Sequence, residues 1–452
     1  MNVRSVESAM NSNNSLKHEL LKKIEKNDVK ICVLGLGYVG LPLAVAFAKK
    51  GIKVLGFDVD QNKVAKVNDG DCYIRDIDPE AFRGVVQKGN LSATSDRKAL
   101  GSCDAFFICV PTPLDKFKKP DMRYIEQAAI DIGKTMKQGV FISLESTTYP
   151  TTTETFLKPI LEKESGYKEG FDFFLCFSPE RVDPGNKQYN TENTPKVVGP
   201  LGKEAEEIAR SLYGKIVQSL HFVSSPRAAE MVKILENTYR LVNISLINEL
   251  ALLSGKMDIN IWEVIEAAKT KPFGFQAFYP GPGIGGHCIP LDPFYLEYIA
   301  KGFNFDLSMI EAAGRINNLQ PYRMMNKISY ALNRYSKPLR GSTILFLGIA
   351  YKPDIDDARE SPALQVMHEV EKKGAKVLYY DPYIPEVIDD YGREWKSVEL
   401  NDQLLKKVDC VVFTTNHSCF DVDHIVNTAQ LVVDLRNAVK QVHIEDDKVF
   451  KL

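Results

Sequence analysis

Apolar runs of strand length alternate with helical patterns over most of the chain. The runs VKICVLG, KVLGFDVD, DAFFICVPTP and GVFISLESTT are separated by segments with apolar residues at helical spacing, up to about Leu220. Such alternation predicts a parallel sheet with helices on both faces. From about Ser225 to Arg334 the pattern is helical almost throughout, except for a Gly/Pro-rich loop at residues 271–290. Long helices between two α/β regions are typical of a packing and dimerisation spine.

The last third of the chain repeats the pattern of the first. STILFLGIAYK resembles VKICVLGLGY, and AKVLYYDP resembles IKVLGFDVD, where each strand ends on an acid, Asp381 or Asp58. DCVVFTTNH and DAFFICVPTP both begin with an aspartate. Three matched strands in the same order predict two related halves. We therefore expect an α/β fold with two doubly wound Rossmann-like domains, joined by a central helical dimerisation domain.

Composition limits the possible partners and the compartment. Lys and Arg number 57 against 59 Asp and Glu, and this near-neutral balance offers no general attraction for nucleic acid. No stretch approaches the roughly 18 consecutive apolar residues of a membrane helix, and the N-terminus lacks the features of a signal peptide. The eight cysteines contain no CxxC pair, and most lie in apolar runs. We expect reduced thiols in a cytoplasmic protein that binds neither membrane nor nucleic acid.

A glycine motif lies between the first predicted strand and the first predicted helix of the sheet. It contains Gly35, Gly37, Tyr38, Val39 and Gly40 in the order GLGYVG. The three glycines of such a motif permit a tight turn, close approach to a pyrophosphate and close helix–strand packing. Asp58 ends the next strand, where a carboxylate binds ribose hydroxyls and repels a 2′-phosphate. NAD is therefore favoured over NADP, although Lys63, a further candidate contact, keeps NADP as an alternative.

The Gly/Pro-rich loop contains a candidate nucleophile, Cys288, in PGPGIGGHCIPLD. Flanking glycines let a bulky ligand approach, and a helix N-terminus stabilises a thiolate. We expect Asp292 to face the same way one turn later, and His287 to be structural. A thiolate adds to an aldehyde as a thiohemiacetal, a second oxidation makes the thioester, and water releases the acid. Combined with NAD, Cys288 predicts four-electron oxidation of a primary alcohol to a carboxylate.

Several motifs together resemble the UDP-glucose/GDP-mannose dehydrogenase family from about Val29 to the end of the C-terminal half. They are GLGYVGLPLA, VPTP, ESTT, SPERVDPG, EMVKILENTYR, GPGIGGHCIPLDP and GIAYKPDIDDARESPA. SPERVDPGN and FYPGPGIGGHCIPLDPFYL look most like the members that oxidise UDP-N-acetylglucosamine, whereas UDP-glucose enzymes typically have PEF and GGSC there.

The resemblance implies a division into four segments. Residues 1–28 would be an N-terminal extension, in which residues 16–27 have the pattern of a short surface helix. Residues 29–220 would form the NAD-binding Rossmann domain, and residues 221–334 the central helical domain with the catalytic loop. Residues 335–452 would form a UDP-sugar-binding Rossmann-like domain.

The resemblance also implies roles for individual side chains. Cys288 would be the nucleophile, Lys233 would stabilise the charge on the transferring oxygen, and Asn237 would bind the sugar one helical turn further on. Glu180 and Thr147 would hold the water for general-base chemistry, with Asp292 in support. Further NAD contacts would come from Thr112, Thr147 and Arg359. Substrate contacts would come from Lys233, Asn237, Arg181, Val182, Arg240, Tyr279, Gly285 and Lys352.

Some of these positions have simpler explanations. Lys233 and Arg240 could be ordinary helix-surface cations. Asp354, Asp356 and Asp357 resemble a metal-binding run, but they are expected to be turn and helix-start residues, and we expect no metal site. Residues 151–153, three threonines, are expected to cap the helix that follows. Pro184 stands where UDP-glucose enzymes have an acidic residue, so the water-positioning network must differ in detail.

The expected function is NAD-dependent 6-oxidation of UDP-N-acetylglucosamine to the uronate, for a surface polysaccharide, by a homodimer. The nearest alternative substrate is UDP-N-acetylmannosamine, which differs only in its configuration at C2, followed by UDP-glucose and UDP-N-acetylgalactosamine. An alternative of another class is a non-catalytic regulator that binds NAD and a nucleotide sugar.

Overall fold

The computed structural model describes residues 15–115, 119–183, 185–186, 188–286, 288–440 and 448–452. Pro184 and His287 lie outside the described residues, as do residues 1–14 of the predicted N-terminal extension. The chain divides into two compact units. The N-terminal unit comprises residues up to Leu235 together with residues 294–303, and the C-terminal unit comprises residues 236–293 and 304–452.

The N-terminal unit is built on an eight-stranded sheet with the order β3-β2-β1-β4-β5-β6-β7-β8. Neighbouring strands are parallel except for β6 and β7. The order reverses between β1 and β4, so the loops that follow these two strands leave a crevice at the carboxyl edge. The strands are β1 (Lys30–Leu34), β2 (Lys53–Phe57), β3 (Leu91–Thr94), β4 (Ala105–Ile108), β5 (Val140–Leu144), β6 (Phe173–Phe177), β7 (Lys196–Pro200) and β8 (Leu220–Phe222).

Helices cover this sheet because their apolar residues recur at helical spacing. The first, α1, spans residues 15–25. It was predicted as a surface helix, but Leu20 and Ile24 are buried in the core with the apolar residues of α2. The others are α2 (Gly40–Lys49), α3 (Gln61–Asp69), α4 (Pro79–Gln87), α5 (Arg123–Thr135), α6 (Lys158–Ser165) and α7 (Lys203–Tyr213).

The central part of the chain is helical, as predicted. Its longest helix, α8, has 31 residues and contains neither glycine nor proline between its first residue and Gly255. The helices are α8 (Pro226–Lys256), α9 (Ile261–Lys269), α10 (Asp292–Ala300) and α11 (Ser308–Arg334). Among the described residues, no helix has the length and apolarity needed to cross a membrane.

The C-terminal unit contains a second parallel sheet, with the order β10-β9-β13-β14-β15. Its strands are β9 (Thr343–Leu347), β10 (Lys376–Tyr380), β13 (Cys410–Phe413), β14 (Val432–Asp434) and β15 (Val449–Lys451), and β11 (Glu386–Ile388) and β12 (Glu394–Lys396) form an antiparallel pair. Three helices accompany them: α12 (Pro362–Lys372), α13 (Asp402–Lys407) and α14 (Val422–Thr428). The predicted α/β class with two parallel sheets is therefore confirmed.

The matched strands of the two sheets make the same local hydrogen bonds. The Gly35 amide donates to Phe57 O at 2.8 Å, and the Gly348 amide donates to Tyr380 O at 2.9 Å. The aspartates that precede β4 and β13 also act alike. Asp104 accepts from the first amide of β1 and Asp409 from the first amide of β9. The repeated sequence pattern therefore reflects a repeated backbone geometry.

Candidate functional site

The glycine turn after β1 leaves its backbone open at one position. Gly35 has a φ of +90°, and a Cβ there would lie 2.6 Å from the carbonyl oxygen of Cys109. A Cβ on Gly40, the first residue of α2, would lie 1.8 Å from Gly35 O. A Cβ on Gly37, in contrast, would have no atom within 4 Å. The turn is therefore closed on the protein side and open at Gly37, beside a helix N-terminus, which fits a pyrophosphate.

Asp58 supports this turn and keeps further acceptor capacity. Its Oδ2 accepts from the Leu36 amide at 2.8 Å, and its Oδ1 accepts from the Asp60 amide at 3.0 Å. A carboxylate has about four lone-pair sites, so ribose hydroxyls can still bind. Lys63 Nζ lies 3.7 Å from Asp58 Oδ2. Tyr38 in the turn is 42% exposed, and Val39 is half-buried beside it.

The loops after β4 and β5 are joined by a hydrogen bond. The Thr112 hydroxyl donates to Thr147 O at 2.7 Å, and Thr112 O accepts from the Tyr295 hydroxyl. Thr112 is buried, whereas Thr147 is half-buried. Both threonines thus lie at the carboxyl edge of the sheet, next to the point where the strand order reverses.

Glu180 follows β6 and is held by its own loop. Its Oε1 accepts from the amides of Arg181 and Val182 at 2.8 and 2.9 Å, and its carbonyl accepts from Lys233 Nζ at 2.6 Å. Burial alone would raise the pKa of Glu180, but the ammonium group of Lys196 and the two amides lower it below its usual range. Glu180 is therefore a carboxylate at neutral pH.

Within the C-terminal unit, Cys288 is exposed and precedes α10. Its carbonyl accepts from the Asp292 amide at 2.8 Å, which makes a turn before the helix. Asp292 itself is buried, and its Oδ2 accepts from Asn237 Nδ2 at 2.5 Å. The two predicted catalytic positions, Asn237 and Asp292, are therefore in direct contact.

The glycines of the loop pack against the turn that follows β9. A Cβ on Gly285 would lie 2.6 Å from the Cβ of Tyr351 and 2.8 Å from Glu360 O. The Gly286 amide donates to Arg359 O at 3.0 Å. The sequence predicts that these glycines let a bulky ligand approach. They are also needed because the protein's own chain packs closely against them here.

Side-chain amides from two helices also hold this loop, and sequence reasoning missed them. Asn248 Oδ1 on α8 accepts from the Gly281 amide at 2.9 Å, and Asn317 Oδ1 on α11 accepts from the Ile284 amide at 2.8 Å. Asn248 is fully buried. Asn248 could have been identified as an amide side chain within the central helix, because a polar group that is buried there needs a hydrogen-bond partner.

The remaining predicted ligand contacts differ in their burial and in their bonds to neighbouring side chains. Tyr279 stacks on Trp262 with ring centroids 6.0 Å apart, and its hydroxyl donates to Glu266 Oε1 at 2.7 Å. The guanidinium group of Arg359 pairs with Asp357, with Nη2 2.6 Å from Oδ2. Arg240 is exposed on α8, and Lys352 is half-buried after β9.

Family models match three parts of the chain. The NAD-binding domain of the UDP-glucose/GDP-mannose dehydrogenase family matches residues 29–217, the central domain matches residues 227–319, and the UDP-binding domain matches residues 345–441. The chain belongs to the UDP-glucose/GDP-mannose dehydrogenase family. The NAD-binding match and the open glycine turn agree on NAD as the cofactor.

Relatives with two different substrates in their names are similar to this dehydrogenase. The UDP-N-acetyl-D-mannosamine dehydrogenase of Pyrococcus horikoshii is 35% identical over 421 residues, 91% of this chain and 96% of the relative. The UDP-N-acetyl-D-glucosamine 6-dehydrogenase of Pseudomonas aeruginosa is 36% identical over 368 residues, 81% and 86% of the two chains. A solved structure of the UDP-D-ManNAc dehydrogenase from Pyrococcus horikoshii has a TM-score of 0.85 at 34% identity, covering 94% of this chain and 99% of its own.

These similarities make this protein an NAD-dependent UDP-sugar 6-dehydrogenase, an oxidoreductase. The alternative of a non-catalytic regulator is therefore wrong. The glycine turn and Asp58, which suit NAD, lie in the N-terminal unit, within the NAD-binding match. The UDP-binding match covers most of the second sheet.

Proposed function

We propose that this dehydrogenase oxidises the C6 hydroxyl of UDP-N-acetylglucosamine to the carboxylate, as a precursor for a surface polysaccharide. The observation that carries the proposal is the exposed Cys288 in a loop whose glycines pack on the turn after β9. NAD, when bound, would accept one hydride in each of the two oxidations, so two NAD are consumed per sugar. A simple alcohol dehydrogenase would need no thiol at this place.

The chain's own residues carry the other steps of the proposed reaction. Lys233 stabilises the substrate oxygen as its charge develops, while Asn237 binds the sugar and is oriented by Asp292. The Cys288 thiol adds to the aldehyde, which forms the C–S bond of a thiohemiacetal, and the second oxidation turns this adduct into a thioester. Glu180 takes a proton from water, whose oxygen adds to the thioester carbon as the C–S bond breaks.

Ligand contacts are proposed on both sheets. Thr112 and Thr147 line the nicotinamide path, and Lys63 and Arg359 contribute to NAD binding. The C-terminal segment, residues 335–452, binds the nucleotide part of the substrate, with Lys352 as a direct contact. The other proposed substrate contacts are Arg181, Val182, Arg240, Tyr279 and Gly285.

UDP-N-acetylmannosamine is a second candidate substrate. The relative that is 35% identical and the structure with a TM-score of 0.85 both carry this substrate in their names. The two sugars differ only in the configuration at C2, so both present the same C6 hydroxyl to Cys288. The acetamido group distinguishes both of them from UDP-glucose.

We propose a homodimer that forms through α8. One stripe of this helix leaves large apolar side chains exposed, and their spacing puts them on one face. They are Tyr239, Leu246, Leu250 and Leu253, and Met257 continues the stripe just after the helix ends. Water exposure of such a stripe is unfavourable, and a second copy of the helix would cover it. Light scattering should report a dimer that Leu250→Glu converts to a monomer; a monomeric wild type would contradict the proposal.

A reducing compartment suits the thiols, and we propose the cytoplasm. Five cysteines are buried, including Cys32 on β1 and Cys176 on β6 of the first sheet. Buried thiols in strands act as small apolar residues. Fractionation of the producing cell would test the location, and recovery outside the cytoplasm would contradict it.

The function is tested by a panel of UDP-sugars with NADH counted per sugar consumed. We expect two NADH and one carboxylate from UDP-N-acetylglucosamine or UDP-N-acetylmannosamine. Cys288→Ala should abolish acid formation and leave NAD binding nearly intact, whereas Cys419→Ala, at another exposed cysteine, should behave as wild type. No turnover with any UDP-sugar would contradict the proposal, and lost NAD binding in Cys288→Ala would make that cysteine structural.

A further inference from the structure

A buried ion pair lies directly behind Glu180, and no step of the proposed reaction uses it. Lys196 Nζ lies 2.8 Å from Glu145 Oε2 and 3.7 Å from Glu180 Oε2. The side chains of Lys196 and Glu145 are 5% and 0% exposed, whereas that of Glu180 is 16% exposed. The ammonium group is therefore placed between a fully enclosed carboxylate and one at the edge of the site.

Neutral groups hold the far side of Glu145. Its Oε1 accepts from the hydroxyl groups of Tyr213 and Ser143, the latter at 2.9 Å. Ser143 Oγ in turn lies 2.7 Å from Tyr213 OH and 3.3 Å from Cys176 Sγ. These residues come from β5, β6 and α7, which are rigid elements. Glu145 is thus fixed in place, and its only close cation is Lys196 among the residues that the structure describes.

Stability alone does not account for this arrangement. Removing two charges from water costs several kcal/mol per ion, and apolar residues of the same volume often replace a buried pair without loss. Here a third charged group, the carboxylate of Glu180, lies beside the pair. Glu180 Oε1 is occupied by two backbone amides, and its other oxygen is turned towards Lys196.

We propose that Lys196 is a positioning residue for Glu180, orienting its second oxygen and keeping it ready to accept a proton, with Glu145 as the buried counter-charge that holds Lys196. The proposal rests on the proposed role of Glu180 as the base for water. In that step the proton of water passes to Glu180 while the hydroxide oxygen bonds to the thioester carbon.

The charges around Glu180 are consistent with this role. Burial alone would lower the pKa of Lys196, but the two carboxylates raise it above its usual range. Among the described residues of the N-terminal unit, the groups that face Glu180 or its ion pair include the backbone amide of Arg181 and the side chains of Lys196, Lys233, Glu145, Cys109, Cys176 and Tyr213. Burial raises the pKa of Cys109 well above its usual range and that of Tyr213 likewise, so both stay neutral.

A small cavity borders Glu180 and Lys196. It has a volume of about 10 Å³ and is lined by Glu180, Lys196, Thr191, Thr194 and two neighbouring prolines, with Arg181 at its side. This is about the space that one water molecule needs. Thr194 Oγ1 is buried without a hydrogen-bond partner among the described residues. The cavity therefore has room and a polar lining for one water molecule beside Glu180 and Lys196.

Three variants of the full-length enzyme test the proposal. Lys196→Met removes the charge but leaves Glu145 buried without its cation, which can destabilise the fold. The double variant Glu145→Gln with Lys196→Met removes both charges and should fold, because no buried charge is left alone. Lys196→Arg keeps the cation. Lys158→Met is the matched control, because Lys158 pairs with Glu169 at 3.4 Å in the same unit, apart from Glu180.

The measurement is the pH profile of kcat for acid formation, with the KM for the UDP-sugar and NAD binding as controls. Activity needs Glu180 ionised and falls as pH falls through its pKa. Loss of Lys196 should raise that pKa, so we expect the acid limb to move up by about one pH unit or more in both Met variants. At pH 7 Glu180 stays ionised in every variant, so the lost orientation of its second oxygen should there lower kcat roughly tenfold, while KM and NAD binding change less than about threefold. Lys196→Arg should return the acid limb of the pH profile to its wild-type position.

The outcomes separate the two proposals. An acid limb at its wild-type position in the double variant, or full recovery of kcat there, would show a merely structural pair and overturn the inference. If the wild type makes two NADH per sugar in that case, the proposed function still stands. A wild type without turnover on any UDP-sugar overturns both.

Discussion

Asp381 and His417 form a hydrogen-bonded pair in the C-terminal unit, with Asp381 Oδ2 3.0 Å from His417 Nε2 and both side chains fully buried. His417 Nδ1 accepts from the Asp354 amide, so Nε2 has the proton and donates to Asp381. Asp381 Oδ2 also accepts from the Ile349 amide at 2.7 Å, as Asp58 accepts from the Leu36 amide in the first sheet. Asp58 and Asp381 therefore accept from the equivalent turn after the first strand of each sheet. In the second sheet, His417 also binds the aspartate.

Asp381→Asn should destabilise the second sheet. Besides its bonds through Oδ2, Asp381 Oδ1 accepts from the amides of Tyr383 and Ile384 at 2.8 and 3.2 Å. An asparagine has an NH₂ group in place of one oxygen, and in either orientation this group would face backbone amides that also donate. We expect a loss of roughly 2–3 kcal/mol, seen as a lower thermal unfolding midpoint. Asp390→Asn, at an exposed aspartate, is the control, and equal midpoints for the two variants would contradict the prediction.

Local patterns predicted the strands, the glycine turn and Cys288, because each depends on residues close together in sequence. Lys196 and Glu145 could not be found in this way. Lys196 begins β7 and Glu145 directly follows β5; these strands are separated in the sheet by β6, and only the strand order brings the two side chains together. The packing of Leu20 and Ile24 was missed for the same reason, since their partners lie on the sheet and its helices.

The capping of the helical segment Thr153–Leu157, which follows β5 and continues into α6, shows the same limit. The threonines at 151–153 were predicted to cap it, but they make no side-chain cap bond there. Instead, Glu230 accepts from the Thr151 amide at 2.5 Å and from the Thr153 amide at 2.9 Å. A carboxylate at a helix N-terminus stabilises its free amides and its dipole. Thr152 is thus the N-cap residue, within the predicted stretch, but the acceptor for the free amides is the distant Glu230.

Glu230 should make stability depend on pH. Burial raises its pKa to about 7, although hydrogen bonds from Thr153 and Thr151 oppose the shift. The pKa in the folded state is above the unfolded value, so its stability contribution is present at low pH and is lost as pH rises through about 7. Between pH 5 and 8, the unfolding midpoint of Glu230→Gln should therefore fall less than that of wild type. Glu25→Gln, at an exposed position, should follow wild type, and parallel curves for wild type and Glu230→Gln would contradict the prediction.

Helix α1 should contribute to the stability of the first sheet. Leu20 is 3% exposed and Ile24 is fully buried, and both belong to the core under β1 and α2. We expect Leu20→Ala and Ile24→Ala each to cost roughly 2–4 kcal/mol of unfolding free energy, measured by denaturant titration. Lys22→Ala on the exposed face of the same helix should change it by less than about 0.5 kcal/mol. Losses no larger than that of Lys22→Ala would mean that α1 is only a surface helix.

Gly285→Ala should reduce catalysis without affecting NAD. An added methyl group would lie 2.6 Å from the Cβ of Tyr351 and 2.8 Å from Glu360 O, so the loop has to move away from the turn after β9. Cys288 follows in the same loop, and a displacement of about 1 Å at a reacting group can cost about 100-fold in rate. We therefore expect kcat for acid formation to fall by roughly that factor, while NAD binding at the glycine turn of the N-terminal unit stays unchanged. Gly84→Ala has no atom within 4 Å of the new methyl group and should keep wild-type kcat; an equal kcat in Gly285→Ala would show that the loop tolerates the displacement.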